Sequence, residues 1–137
     1  MVLLLLGVTA ALVAPAVTTL RRSRGDDVSR ATEAVVDLLA RARKTALDRA
    51  QTIDVIVDPA GSHAWIVARE AGELHMLESS SLPVDANATL VAVTPRVRFT
   101  FAPSGIASGG PLSVLGSRES RAITVDPWSG EIHVSAR

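Results

Sequence analysis

The three histidines of this sequence are the side chains that most directly raise the question of metal or acid–base chemistry. They are His63, His75 and His133. A zinc site needs several nitrogen, sulfur or carboxylate ligands at short, regular spacing, and none of the three histidines has such a neighbour in the sequence. Each histidine alternates with apolar residues, which predicts a solvent-facing position on a strand. The histidines therefore predict no metal site.

Other arrangements of catalytic residues are weak or missing. Asp54 and Asp58 could act as paired carboxylates, but the polar face of a strand brings such residues together routinely. The nucleophile motif G-x-S-x-G does not occur, and the absence of cysteine excludes thiolate nucleophiles, thiolate metal sites and disulfides. The glycine-rich run 104–110 lacks the Lys-Ser/Thr ending of a phosphate loop. We predict no catalytic residue, no cofactor and no metal, and we expect that the protein is not an enzyme.

The distribution of charge argues against a nucleic-acid partner. The formal net charge is zero, but residues 1–51 hold eight Lys/Arg against five Asp/Glu, whereas residues 52–137 hold six against nine. Nucleic acid attracts clustered positive charge, and the second part of the chain is acidic. The later basic residues form a sparse set without interleaved aromatic residues: Arg96, Arg98, Arg118 and Arg121.

An uncharged apolar run occupies residues 1–20. As a helix, twenty residues would cover ~30 Å, which is about the thickness of the hydrocarbon core of a bilayer. A cleaved signal peptide is the alternative, but no positive charge precedes the run, and Ala14-Pro15-Ala16 is an imperfect cleavage sequence. We predict a transmembrane or assembly helix over residues 1–24, which Pro15 should kink because proline lacks the backbone donor.

The charges after this run conflict with an exported domain. Arg21, Arg22 and Arg24 follow the apolar residues at once. By the positive-inside rule they would keep the rest of the chain in the cytoplasm. A basic leader encoded upstream of Met1 would remove the conflict.

Residues 25–51 have the spacing of an amphipathic helix. Apolar residues recur every three or four positions and form one stripe: Val28, Ala31, Val35, Leu38, Ala42 and Ala46. We expect this stripe to pack on the strands that follow. A coiled-coil partner is the alternative, although alanine at several seam positions would make a weak zipper.

From Thr52 the hydrophobic period changes from 3.6 to 2, which predicts strands over 53–57, 64–68, 74–77, 89–93, 96–101, 112–115, 122–125 and 131–135. Residues 79–83 and 102–111 are predicted loops. Short strands joined by short turns indicate antiparallel sheet. The expected fold is α+β, with seven or eight strands packed on the helix, so that residues 25–137 form one domain with a β-rich head over 52–137. Trp128 falls in a turn, where packing over the neighbouring hairpin is favoured over an interface contact.

The whole chain resembles the type IV pilin-like proteins, and in particular the GspH/FimT-type minor pseudopilins. Four stretches in order carry the resemblance: residues 3–15, with an internal glycine and a later proline; residues 39–51; residues 99–105, which look like the F-x-P-x-G loop; and the closing hairpin 123–132. Family members carry a basic leader ending in glycine and a nearby glutamate. This prepilin cleavage and methylation site is absent here. Either the true start lies upstream of Met1, which we favour, or the protein has lost this processing.

The resemblance implies a structural subunit of a type II secretion pseudopilus or a type IV pilus. It would be a single-pass protein of the inner membrane with its head in the periplasm, assembling with other pilins, pseudopilins and secretion-machine subunits. The implied assembly helix contains Leu3, Leu4, Leu5, Leu6, Gly7, Leu12 and Pro15. The helix–sheet packing residues, which the spacing of the stripe predicts, are Val28, Val35, Leu38, Ala42 and Ala46.

Two alternatives remain open at this point. Some FimT-like relatives bind DNA during uptake, which the acidic head makes less favourable here. The other alternative is a secreted globular protein or enzyme behind a signal peptide.

Overall fold

The computed structural model describes residues 27–84 and 87–136 of the chain. One helix, α1 (Asp27–Arg49), precedes nine strands in this part of the chain. The strands are β1 (Thr52–Asp58), β2 (His63–Glu70), β3 (Glu73–Ser81), β4 (Ala88–Val91), β5 (Val97–Phe101), β6 (Ala107–Gly109), β7 (Leu112–Gly116), β8 (Ser120–Val125) and β9 (Ile132–Ala136). The helix predicted over residues 1–24 lies outside the described residues, and so does the boundary at residue 25.

Helix α1 follows the predicted 3.6-residue period to a defined end. The helix propensity of this segment is high because alanine, leucine and arginine recur, and the interior of the helix contains no glycine or proline. The helix ends at Arg49, after which Ala50 adopts a left-handed backbone with a φ of 52°. The Gln51 amide donates to the Ala46 carbonyl at 3.3 Å, so one of the last carbonyls of the helix is satisfied. The chain then turns directly into β1.

Two antiparallel sheets contain the strands. The first sheet has the order β3-β2-β1-β5-β6, and the second has the order β4-β7-β8-β9. In the first sheet, Ile53 lies opposite Phe101 and Val55 lies opposite Phe99. This register puts the large apolar residues of β1 and β5 on one face, as the period of two requires.

The core lies where α1 meets both sheets. Buried residues of the helix, of β1, β2 and β5 in the first sheet, and of β4, β7 and β8 in the second sheet form one hydrophobic cluster. Phe99 and Phe101 are its largest fully buried side chains. The chain is therefore α+β, with one helix packed on antiparallel sheets, as the sequence predicts.

Two of the sequence predictions about loops are wrong. Residues 102–111 were expected to be loop, but Ala107–Gly109 forms β6 and pairs with β5. A Cβ at Gly109 would lie 2.1 Å from the Arg98 carbonyl oxygen, so the glycine permits this close approach. Similarly, Ser79–Ser81 extends β3, where it pairs with the start of β2. The described residues hold nine strands, not seven or eight, because segments without apolar alternation join sheets through their backbone.

Candidate assembly surfaces

The predicted packing face of α1 is buried against the sheets. Val28 is 3% exposed and Leu38 is 2% exposed, and both belong to the same cluster as the inward residues of β1, β5 and β7. The other predicted packing residues, Val35, Ala42 and Ala46, are fully buried in that cluster. Because the sheets occupy this face, the coiled-coil alternative fails for this stripe.

Polar contacts fix the helix at several points along the sheets. Arg41 Nη2 donates to Glu78 Oε1 of β3 at 2.8 Å. Near the start of α1, Asn87 Nδ2 donates to Asp27 Oδ2 at 2.8 Å. A further ion pair lies within α1 itself, on its exposed side. Lys44 pairs with Asp48 at 2.6 Å, and the Asp48 carboxylate raises the pKa of Lys44 through its hydrogen bond and its charge.

Asp54 is a buried carboxylate rather than part of a solvent-facing pair with Asp58. Its side chain is 1% exposed. Arg69 Nε donates to Oδ2 at 2.7 Å, and Thr100 Oγ1 donates to Oδ1 at 2.7 Å. Arg98 Nη1 lies 3.9 Å from Oδ2. These contacts satisfy both oxygens, which is what allows a charge to be buried in a strand. The arrangement is a structural cross-link between β1, β2 and β5.

Trp65 of β2 packs against one of the basic residues that the sequence places on β5 and just before it. The Arg96 guanidinium lies 5.5 Å from the centre of the Trp65 ring, and the His63 ring lies 4.8 Å from it. One residue of the basic set thus has an aromatic neighbour in the fold, which another strand contributes. Both neighbours of the ring come from the same chain, and Asp54 offsets part of the charge of Arg98. The contacts stabilise the outer face of the first sheet.

The histidines lie apart from one another in the fold. His75 and His133 are exposed, and His63 is half-buried with Nε2 2.6 Å from Ser79 Oγ. Over residues 27–84 and 87–136, no group of three or more His, Asp or Glu side chains is placed to hold a metal ion.

The turn between β8 and β9 is closely held and ends in an exposed indole. Asp126 Oδ1 accepts hydrogen bonds from the amides of Trp128 and Ser129, each at 2.9 Å. These bonds lower the pKa of Asp126, that from Ser129 most. The Gly130 amide donates to the Asp126 carbonyl at 2.9 Å. Trp128 nevertheless is 83% exposed, so the expected packing over the neighbouring hairpin is wrong.

Contacts from two other elements hold the same turn. Arg43 Nη2 of α1 donates to the Ser129 carbonyl at 3.1 Å. The Ala107 amide of β6 donates to the Pro127 carbonyl at 3.2 Å. A Cβ at Gly130, whose φ is 72°, would lie 2.8 Å from the Gly105 carbonyl oxygen, so glycine lets the loop before β6 meet this turn. No sequence pattern marks these long-range contacts, although the turn residues themselves were recognisable.

The predicted assembly residues Leu3, Leu4, Leu5, Leu6, Gly7, Leu12 and Pro15 lie outside the described residues. Among the helices of the part that is described, none has the length and apolar character needed to cross a bilayer.

Comparison with solved structures shows the fold of a minor pilin. The type IV minor pilin FimU of Pseudomonas aeruginosa matches in two crystal forms. One has a TM-score of 0.60 at 16% identity, covering 77% of this chain and 90% of FimU. The other has a TM-score of 0.62 at 15% identity, covering 86% and 92%.

A minor pseudopilin has the same fold. EpsH, from the type 2 secretion system of Vibrio cholerae, matches with a TM-score of 0.61 at 15% identity, covering 81% of this chain and 98% of EpsH.

No curated protein sequence matches the chain. The family model of GspH, described as type II transport protein GspH, matches residues 31–130, from the second turn of α1 to the turn before β9. The chain therefore belongs to the GspH family of type II transport proteins.

Proposed function

We propose that the protein is a minor pseudopilin, a structural subunit that assembles into a type II secretion pseudopilus or a related type IV pilus. The family match over residues 31–130 is the observation that carries this proposal. The likeness to FimU and EpsH supports the fold on which it rests.

The contrast between the apolar stripe of α1 and the apolar residues before it supports assembly through the N-terminal segment. The apolar stripe of α1 is buried by the sheets of its own chain, so it is not available to a neighbouring subunit. The uncharged residues 1–20 carry the other large apolar surface in the sequence. We propose that this run, with Leu3 to Gly7, Leu12 and Pro15, first anchors the subunit in the inner membrane.

Assembly would then move the run from lipid into a bundle with other pilins or pseudopilins. Lipid tails and leucine side chains are similarly apolar, so transfer gains little hydrophobic free energy. Close packing of helices must supply the driving force, and a small residue such as Gly7 favours it. The head, carried by α1, would lie on the periplasmic side.

Deleting the gene in its native host tests this function. We expect loss or strong reduction of type II secretion or of surface pili, restored by the full chain supplied in trans. A matched pair of variants separates anchoring from folding. Leu5→Arg should fail to restore assembly because a charge within a membrane helix is costly, up to about 3 kcal/mol at the centre of the bilayer. Leu77→Arg, on the exposed part of β3, should restore it. A deletion strain with normal secretion and normal pili would contradict the proposal.

A further inference from the structure

The Trp128 side chain projects from a turn that several contacts hold rigid. Hydrogen bonds within the turn, together with those from Arg43 and from Ala107, hold residues 126–131 in place. An indole that is 83% exposed gains almost nothing from folding. The fixed backbone of the turn does lower the entropy that binding through this side chain would otherwise cost. Tryptophan on a preorganised support is a typical interface anchor.

Two further exposed apolar side chains belong to the elements that hold this turn. Ile106, 50% exposed, sits between Gly105 and Ala107, both of which approach the turn. Leu47, 48% exposed, lies one helical turn beyond Arg43, which binds the Ser129 carbonyl. We call Leu47, Ile106 and Trp128 the distal patch.

The distal patch lies at the pole of the domain opposite the start of α1. Asp27 and Arg43 are sixteen residues apart, which corresponds to ~24 Å along a helix. Strand β8 connects the same two poles, because Gly116 before it approaches Val28 and the turn after it contacts Arg43. The 26 residues that precede Asp27 thus join the domain at the far end from the patch.

This placement indicates what covers the patch, given the proposed function. If N-terminal runs bundle side by side, the heads of successive subunits follow one another along the filament. The pole furthest from the run then faces the head of the next subunit. The charge around the patch indicates which surface of the partner it fits. Asp126 and Glu131 flank Trp128 in the sequence, and no Lys or Arg occurs within residues 122–136, so a basic surface is favoured.

We propose that the distal patch docks onto the head of the adjacent pilin-like subunit, in an apolar cleft with a basic rim. Trp128 fills the cleft, and a partner Lys or Arg can face both the indole and the carboxylates. The contact joins unlike surfaces of two subunits, which is the arrangement that extends into an open filament. This inference rests on the proposed function.

Site-specific photo-cross-linking tests the contact in cells. The full chain with Trp128→p-benzoylphenylalanine is expressed in the deletion host, and cross-linked peptides are identified by mass spectrometry. We expect a cross-link to the head of another pilin-like subunit. The control is Val93→p-benzoylphenylalanine. Val93 is 97% exposed and lies beside Pro59 and Ala60, which follow the end of β1, whereas the start of β1 follows α1 directly. It should not give that product.

A substitution series measures the importance of the patch. Trp128→Ala should reduce incorporation into filaments about tenfold or more, whereas Trp128→Phe should retain most of it. Circular dichroism should show unchanged folding, since the side chain is exposed. Normal incorporation of Trp128→Ala, or cross-links that never reach a pilin-like head, would overturn the inference while gene deletion still abolishes assembly. If gene deletion has no effect, the proposed function itself fails.

Discussion

Asp54 places a carboxylate within β1, where the alternation of the strand alone predicts a solvent-facing side chain. Its oxygens instead accept hydrogen bonds from Arg69 of β2 and Thr100 of β5. The register explains the geometry. Asp54 lies directly opposite Thr100, whereas Arg69 lies opposite Thr52 and Arg98 opposite Ile56, each two residues from Asp54 along β1. A single side chain thereby links three strands of the first sheet.

Removing that carboxylate should destabilise the domain. Asp54→Ala deletes two hydrogen bonds made by a charged group, so we expect the free energy of unfolding to fall by about 2 kcal/mol. Glu73→Ala, on an exposed strand position, is the matched control and should change it by less than about 0.5 kcal/mol. Urea unfolding of both variants measures the difference. Equal stabilities would show that the Asp54 contacts contribute nothing net.

Asp126 should make the β8–β9 turn sensitive to acid. Amide donors from Ser129 and Trp128 lower its pKa below the ordinary 3.8. A lowered pKa means that the charged form stabilises the fold, and this contribution is present above 3.8 and is lost as pH falls through the lower value. In a Trp65→Phe background Trp128 is the one remaining tryptophan, and its fluorescence anisotropy should fall in that acid range.

The matching control is Asp126→Asn in the same background. An amide keeps an acceptor oxygen but does not titrate, so the anisotropy should stay flat with pH. Far-UV circular dichroism must show that the domain remains folded throughout. The same acid transition in both proteins would rule out Asp126 as its origin.

The chemistry of individual residues was only partly predictable from the sequence. The turn at residues 126–130 was recognisable because Asp, Pro, Ser and Gly have known turn preferences. The exposure of Trp128 and the burial of Asp54 were not predictable from the sequence. Each depends on residues far away in the chain, such as Arg43 and Thr100.

At the scale of elements, α1 was the most predictable part of the fold. Its apolar period continues from Val28 to Ala46, about five turns, and a long periodic segment leaves few alternatives. β6 was missed because Ala107–Gly109 is too short to show a period, and its pairing with β5 depends on glycine and on backbone contacts. Residues 79–81 were missed for a related reason: serine is neutral in pattern, yet its backbone completes the ladder with β2.

The packing of α1 on the sheets can be tested with two leucines of the same helix. Leu38 is 2% exposed, so Leu38→Ala should lower the free energy of unfolding by about 3 kcal/mol, through lost burial and the cavity left behind. Leu47→Ala removes the same atoms from a side chain that is 48% exposed and should cost less than about 1 kcal/mol. Similar losses in urea unfolding would contradict the assignment of the buried face.

At the scale of the molecule, the two poles of the protein offer different surfaces. The described domain buries its own helix stripe and displays the distal patch at one pole. The uncharged run of residues 1–20 belongs to the other pole by sequence. In the proposed filament, the run supplies the common stem and the patch supplies a contact between heads.

Quantitative mass spectrometry of filaments sheared from cells of the native host tests this account most directly. We predict that peptides of this chain co-purify with the pilin-like filament subunits, including peptides from within residues 1–20, and that Leu5→Arg removes them. The contradictory result is a chain missing from the filaments and recovered instead as a free exported protein trimmed near Ala16.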